Sequence, residues 1–369
     1  MKRFFIGLSL AITLLLTSCY SYNDINRMLF PIALVIDIDE EGNVLVSQEI
    51  FHSFRSQQEN AEQGQRILYR RSGKSFLDVI SKFEEMGAQP FSYTQNKIII
   101  FTERAAKEGI KDYLDALHRN QDFLLRPYVA VYYGDVVELL NMEIKQNEYL
   151  GLYLFDLFDR PVERVTMQHL KLFEVLKKRR MGKNVLVITS ITIDKNPLED
   201  KIRKDGAAVF HNDKLVEKIT TEEMKPYAFM VDRARAGFLD VPHPHGEDKL
   251  LTVQILKGNT VSDILYEDGK VILRQTINVR TSIVGTEASI VLDEETVRKI
   301  DASVQNTIKK NCHELFHKYK EKGIDIFDIQ EMFHRKYPRL EVENAIEVTE
   351  YHLQIDHHIE GTTNVTSFR

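Results

Sequence analysis

The stretch LDEETVRKIDASVQNTIKKNCHELFHKYKEKG, residues 292–323, decides how the second half of this chain folds. At about 100° per residue, Val297, Val304, Ile308, Cys312, Leu315 and Tyr319 line up in one apolar stripe. One long helix over 293–322 is expected, with Asp293 as its N-cap and Gly323 ending it. Such a stripe needs a surface to cover it, and the flanking sequence supplies strands. KLLTVQIL, TVSDILY and KVILRQTINVRTSIVG (249–256, 260–266 and 270–285) read as three strands, the last two joined at Asp268-Gly269. RLEVENAIEVTEYHLQIDHHIEG at 339–361 adds one or two more. Shorter helices are expected over 221–235 and 325–337, the second stopping before Pro338.

The same helix contains His313-Glu314-Leu315-Phe316-His317, the H-E-x-x-H pattern of zinc proteases. There, two histidines one turn apart hold the metal and the glutamate activates a water. On the helical wheel His313 and His317 fall opposite the apolar stripe, towards solvent. The extended form of the motif needs glycine at 320 and histidine at 323, where this chain has Lys320 and Gly323. The expectation is a solvated helix face, with a zinc protease built on 313–317 as the rival reading. His243-Pro244-His245 is expected in a loop, and His352, His357 and His358 on both faces of a terminal strand, so neither group converges. Cys312 lies on the apolar stripe and reads as a buried, inert thiol. No G-x-S-x-G, P-loop or G-x-G-x-x-G occurs. No catalytic, cofactor or metal site is therefore expected.

The first half alternates strands and helices. LFPIALVIDIDEEGNVLVSQEIF (29–51) reads as two strands turning at Glu41-Gly42-Asn43, and GKSFLDVISKFEEMG (73–87) as a helix. Strands are expected at 97–101, 128–133 and 184–193, and helices at 103–117, 135–141 and 162–178. The polar, aperiodic stretch 195–204 carries Pro197 and reads as a linker. Beyond it, DGAAVFHNDKLVEKI (205–219) reads as a hairpin turning at Asn212-Asp213. The expected fold class is α+β and multi-domain, with mixed and antiparallel β-sheets packed against helices. Its parts are an N-terminal α/β domain over 19–194, the linker, a C-terminal α+β domain over 205–361 and a tail over 362–369.

At the amino end, Lys2 and Arg3 precede an apolar run from Phe4 to Leu16, too short to span a bilayer. The run closes on Leu16-Thr17-Ser18-Cys19, which resembles a lipoprotein lipobox. Residues 1–18 are read as a signal peptide cleaved between Ser18 and Cys19, whose thiol takes diacylglycerol and further acyl chains such as palmitate. Two chains suffice for stable membrane anchoring, where one is marginal. The formal net charge of −6, without a basic and aromatic stripe, speaks against nucleic-acid binding. Cys19 and Cys312 are the two cysteines, so lipidation of Cys19 precludes an internal disulfide and stability must come from the core.

Several segments together resemble the Ger(x)C family, the lipoprotein C subunits of spore germinant receptors. They are YNDINRMLFPIALVIDID after Cys19, GKSFLDVISKF, NKIIIFTERAAKEGIKDYLDALHRN, RPYVAVYYGDVVELL, KDGAAVFHNDKLVEKIT, KYKEKGIDIFDIQEMFHRKYP and IEVTEYHLQIDHHIEG. Where the family often has tryptophan after the lipidated cysteine this chain has Tyr20, and it contains no tryptophan. The resemblance implies a non-enzymatic subunit without cofactor on the outer face of the inner spore membrane. It implies polytopic A-type and B-type receptor subunits as partners, and a nutrient germinant acting on the complex. A solute-binding lipoprotein is a further rival, and it would require two lobes of similar construction.

Overall fold

The computed structural model describes residues 28–55, 62–145, 147–160, 169–360 and 367–368. An eight-stranded sheet organises the first part. Its strands are β1 (Phe30–Ile38), β2 (Val44–Arg55), β3 (Glu62–Gly73), β4 (Ile98–Thr102), β5 (Tyr128–Tyr132), β6 (Val185–Asp194), β7 (Lys201–His211) and β8 (Lys214–Ile219). They lie in the order β3-β2-β1-β4-β5-β6-β7-β8. The middle run β1-β4-β5-β6 is parallel and the outer pairs are antiparallel. Parallel neighbours need crossovers. α1 (Phe76–Met86), α2 (Glu103–Glu108), α3 (Lys111–Arg119), α4 (Val136–Asn141), α5 (Leu150–Asp159) and α6 (Leu172–Lys178) lie in the connections between strands of this sheet. The central strands read as unbroken apolar runs because both of their faces are buried. α1, α2, α3 and α6 contribute to one core; α4 and α5 build another.

The second sheet has the order β13-β11-β10-β9, from β9 (Gly237–His243), β10 (Gly246–Glu267), β11 (Lys270–Thr286) and β13 (Thr349–Ile359). One face is covered by α7 (Met224–Met230), α8 (Glu294–Glu321) and α9 (Ile329–Lys336). Asp293 accepts the Thr296 N–H at 2.8 Å and so starts α8. The buried side chains of α8 are Thr296, Ile300, Val304, Ile308, Cys312, Leu315, Phe316 and Tyr319, whereas Val297 is exposed.

Several expectations are corrected. Part of the stretch 195–204, expected as a linker, is strand: Lys201–Lys204 open β7. Residues 195–200 only connect β6 to β7, and the hairpin β7–β8 joins the first sheet because its backbone groups pair with β6. Alternate residues of β6 and β7 then enter different cores. Leu186, Ile188, Ala208 and Phe210 face the helices of the first part, while Val185, Val187, Ala207 and Val209 join the core of α7, α8 and α9. The strands expected at 249–256 and 260–266 are one, β10, interrupted by a bulge between Ile255 and Lys257. Gly258 has a packing role there, since a Cβ would lie 2.0 Å from the Ala234 carbonyl oxygen. β13 runs parallel to β11, which makes α8 and α9 a long crossover.

The helix expected over 103–117 breaks at Gly109 (φ +132°), a backbone setting that side chains rarely adopt. Of the helix expected over 162–178 only α6 is seen; residues 169–171 precede it without helical structure, and 161–168 lie outside the described residues. In the expected tail, β14 (Ser367–Phe368) pairs with β12 (Ile290–Val291). His243 ends β9 at a tight turn, not in a loop.

A buried ion pair fixes the helices behind β1. Glu49 on β2 accepts N–H groups from Leu150 (2.8 Å) and Gly151 (2.7 Å) at the start of α5, and Arg66 Nε at 2.6 Å. Arg66 also donates to the Leu140 carbonyl at the end of α4 (2.7 Å). The anion thus meets the positive end of one helix, and the cation the negative end of another. Replacing Glu49 with leucine should strand Arg66 and cost about 3–5 kcal/mol in urea unfolding, with Glu49→Leu/Arg66→Leu recovering part of the loss.

Candidate functional site

Cys19 lies outside the described residues. HELFH does not assemble a cleft. His317 is exposed, and His313 is half-buried with its ring 5.0 Å from that of Tyr351 on β13. Their own rings stack 6.2 Å apart. His313 is less solvated than the wheel implies, because β13 lies beside the helix and Tyr351 leans over it. Burial, together with the His317 and Lys309 charges, lowers its pKa. The nearest positive group to Glu314 is Lys310, 3.9 Å away. No group of three His, Cys, Asp or Glu side chains among the described residues is arranged to hold a metal.

The other histidines separate in the same way. On β13, His352 and His358 are exposed. His357 faces inward, with Nδ1 2.6 Å from Asp301 and Nε2 2.8 Å from the Thr281 hydroxyl. This resembles a nucleophile–base–acid chain, but Thr281 has no exposed surface, so the network braces β11, β13 and α8. His243 is buried and its Nδ1 accepts the His245 N–H at 3.1 Å. Cys312 is buried with Sγ 3.9 Å from the Pro226 carbonyl, and burial pushes its thiol pKa up. A thiol so held is a poor nucleophile.

Two polar clusters escaped the sequence reading. At the C-terminal ends of β1 and β4, where open parallel sheets take ligands, Asp37 binds Arg104 (2.6 and 3.2 Å) and the Thr102 hydroxyl (2.6 Å). Burial alone would raise the Asp37 carboxyl, but these donors outweigh it and hold it below its ordinary range. Beside α5, His169 Nε2 lies 2.8 Å from Lys204 Nζ, and its Nδ1 lies 2.8 Å from the Thr189 hydroxyl. The ammonium must donate to Nε2, which leaves the proton on Nδ1. The ring stacks 4.3 Å from Phe158. Burial, then the Lys204 charge, takes His169 down to about 3, and burial takes Lys204 down to about 8. Neither residue belongs to a motif, and only the fold brings them together.

Among the described residues no helix covers the face of the second sheet turned away from α8. Phe238, Leu250, Leu256, Val261 and Val284 are exposed there. A shallow cleft of about 380 Å³ is lined by Arg235, Lys257, Asn259, Asn278 and Arg280. Arg235 is engaged by Asp232 and Arg280 by Glu360. Among the described residues no helix is long and apolar enough to cross a membrane.

Two dissimilar sheets welded through β6 and β7 and packed against helices make this an α+β protein. The chain belongs to the Ger(x)C family of spore germination proteins. The model described as "Spore germination protein N-terminal domain" matches residues 21–193, and that described as "Spore germination B3/ GerAC like, C-terminal" matches residues 205–366. The spore germination protein GerQC of Bacillus cereus is 20% identical over 73% of this chain and 74% of its own. The putative spore germination protein YfkR of Bacillus subtilis (strain 168) is also 20% identical, over 86% and 84%. The crystal structure of the GerBC protein has the same fold, with a TM-score of 0.57 at 14% identity, covering 89% of this chain and 97% of that one.

Two measurements follow. His169 titrates near 6.5 when unfolded and near 3 when folded, so the fold favours its neutral form. Its contribution is complete above about pH 6.5 and is lost as pH falls towards 3, on the order of 3 kcal/mol by pH 4. Urea midpoints should therefore drop between pH 7 and 4, and less steeply in His169→Gln. Protein purified without chelator should carry no stoichiometric zinc, with His317→Ala leaving metal content unchanged.

Proposed function

We propose that this chain is a membrane-tethered, non-catalytic subunit of a spore germinant receptor, required for nutrient-triggered germination. The observation that carries the reading is the ordered match of both germination-protein domains along residues 21–366. The lipobox at Leu16–Cys19 supplies the tether: acyl chains on Cys19, after cleavage at Ser18, hold the globule on the outer face of the inner spore membrane. Confinement to that surface raises its effective concentration towards polytopic A-type and B-type subunits. The face of the second sheet turned away from α8 is suited to such contacts, since exposed apolar side chains grouped on one surface mark interaction sites. A nutrient acting on the assembled complex then biases it between resting and triggered states, to the extent that it binds one state better.

The protease reading fares worse on geometry, since His313 leans on Tyr351 and His317 faces solvent. The solute-binding reading needs two matching lobes, and an eight-stranded mixed sheet beside a four-stranded one does not supply them.

Cys19→Ala should move the protein from spore membrane fractions to the soluble fraction and slow germination strongly. Unchanged germination by spores whose protein is soluble defeats the proposal.

A further inference from the structure

We propose that one end of the first sheet, around Leu124, Arg126, Phe173, Lys177 and Arg180, is a docking face for an anionic phospholipid surface. This rests on the tether reading above and adds to it the orientation of the globule.

The face lies where the described chain begins. Leu29 donates to the Pro90 carbonyl (3.0 Å) and accepts the Ser92 N–H (2.8 Å), beside Phe91. The Phe91 ring stacks on Tyr93, whose ring lies 4.3 Å from that of Phe123. The next residues, 124–127, receive the start of α6: Phe173 donates to the Leu125 carbonyl (3.0 Å) and Leu172 to that of Pro127 (2.8 Å). A continuous aromatic floor therefore runs from the beginning of β1 to α6. On it Leu124 and Phe173 are exposed, the latter by 49%. Lys177 follows Phe173 by four residues and shares its helix face.

The charge on this floor is one-sided. Segments 119–127 and 171–183 carry eight lysines and arginines against Asp122 and Glu174. Lys178 is committed to Asp328, and Arg179 to Asp115 and Asp213. Arg126, Lys177 and Arg180 are exposed and form no ion pair among the described residues, while Arg119 lies in the field of Asp115. The other end of the parallel strands carries no such excess: Asp39, Glu40 and Glu41 follow β1, and around the β6–β7 connection Asp194 and Asp200 are paired with Arg203 and Lys195. Exposed aromatic and aliphatic side chains ringed by long cations suit the headgroup region, where the stems pack on apolar material and the charges meet phosphate. Basic residues add to an acyl anchor as a second membrane signal. Cys19 precedes Met28 by nine residues, at most about 30 Å of extended chain, so this end is within reach of the lipid.

The absence of tryptophan makes the test direct. Phe173→Trp and, at the opposite end, Leu198→Trp (Leu198 is 90% exposed) place single reporters in the full chain. Each is made in a host that processes lipoproteins and reconstituted into phosphatidylcholine vesicles with or without phosphatidylglycerol. Vesicle flotation reads the tether; tryptophan emission and quenching by brominated acyl chains read the face. The expected result is a blue shift and quenching for Trp at 173 with phosphatidylglycerol, lost in Lys177→Glu/Arg180→Glu and reduced by salt, with Trp at 198 unchanged. Floating protein whose reporter at 173 stays in water, or equal shifts at both positions, overturns the docking face and leaves the tether standing. Protein that does not float overturns the tether as well.

Discussion

Alternation along β6 and β7 carries the architecture. Successive side chains of a strand point to opposite sides, and here both sides are buried in different cores: Leu186 and Ile188 face one, Val185 and Val187 the other. Two strands thus act as a common wall for both parts of the chain. Arg179 reinforces the junction by binding Asp115 on α3 and Asp213 in the β7–β8 turn, and Lys178 reaches Asp328 just before α9. A single-residue slip of either strand would turn every one of these side chains to the wrong core at once.

Much of the fold is legible in the sequence because local chemistry and tertiary demand agree. Asn212, Asp213 and Asp268 occupy left-handed backbone positions, which their short polar side chains tolerate, and each turn falls where those residues predict it. What misleads is context. Lys257-Gly258-Asn259 has the composition of a turn, yet glycine serves there to let Ala234 approach a continuous strand. Residues 195–204 have the composition of a linker, but 195–200 only join two paired strands and 201–204 already belong to the second of them. Glu49 and Arg66 look like solvent-facing charges on strands, since nothing local announces that the ends of α4 and α5 will meet them.

The same limit applies to sites. HELFH satisfies a local pattern, but catalysis depends on what converges from elsewhere, and here the converging group is the ring of Tyr351. His169 and Lys204 are separated by 35 residues and carry no motif, yet they form one of the more strongly perturbed pairs in the molecule. Spacing in sequence reports on a single element, whereas perturbed titration reports on burial by several. The family resemblance succeeds where motifs fail because it draws on the order of many soft segments.

The shared hairpin has an evolutionary consequence. The boundary that separates the two family domains, between residues 193 and 205, runs through a hairpin connection of the first sheet. Recombination at that point between two such genes would transplant two strands together with the following domain, and the recipient's β6 would have to accept a foreign neighbour. A grafted half would have to fit the side chains of that seam to two cores at once.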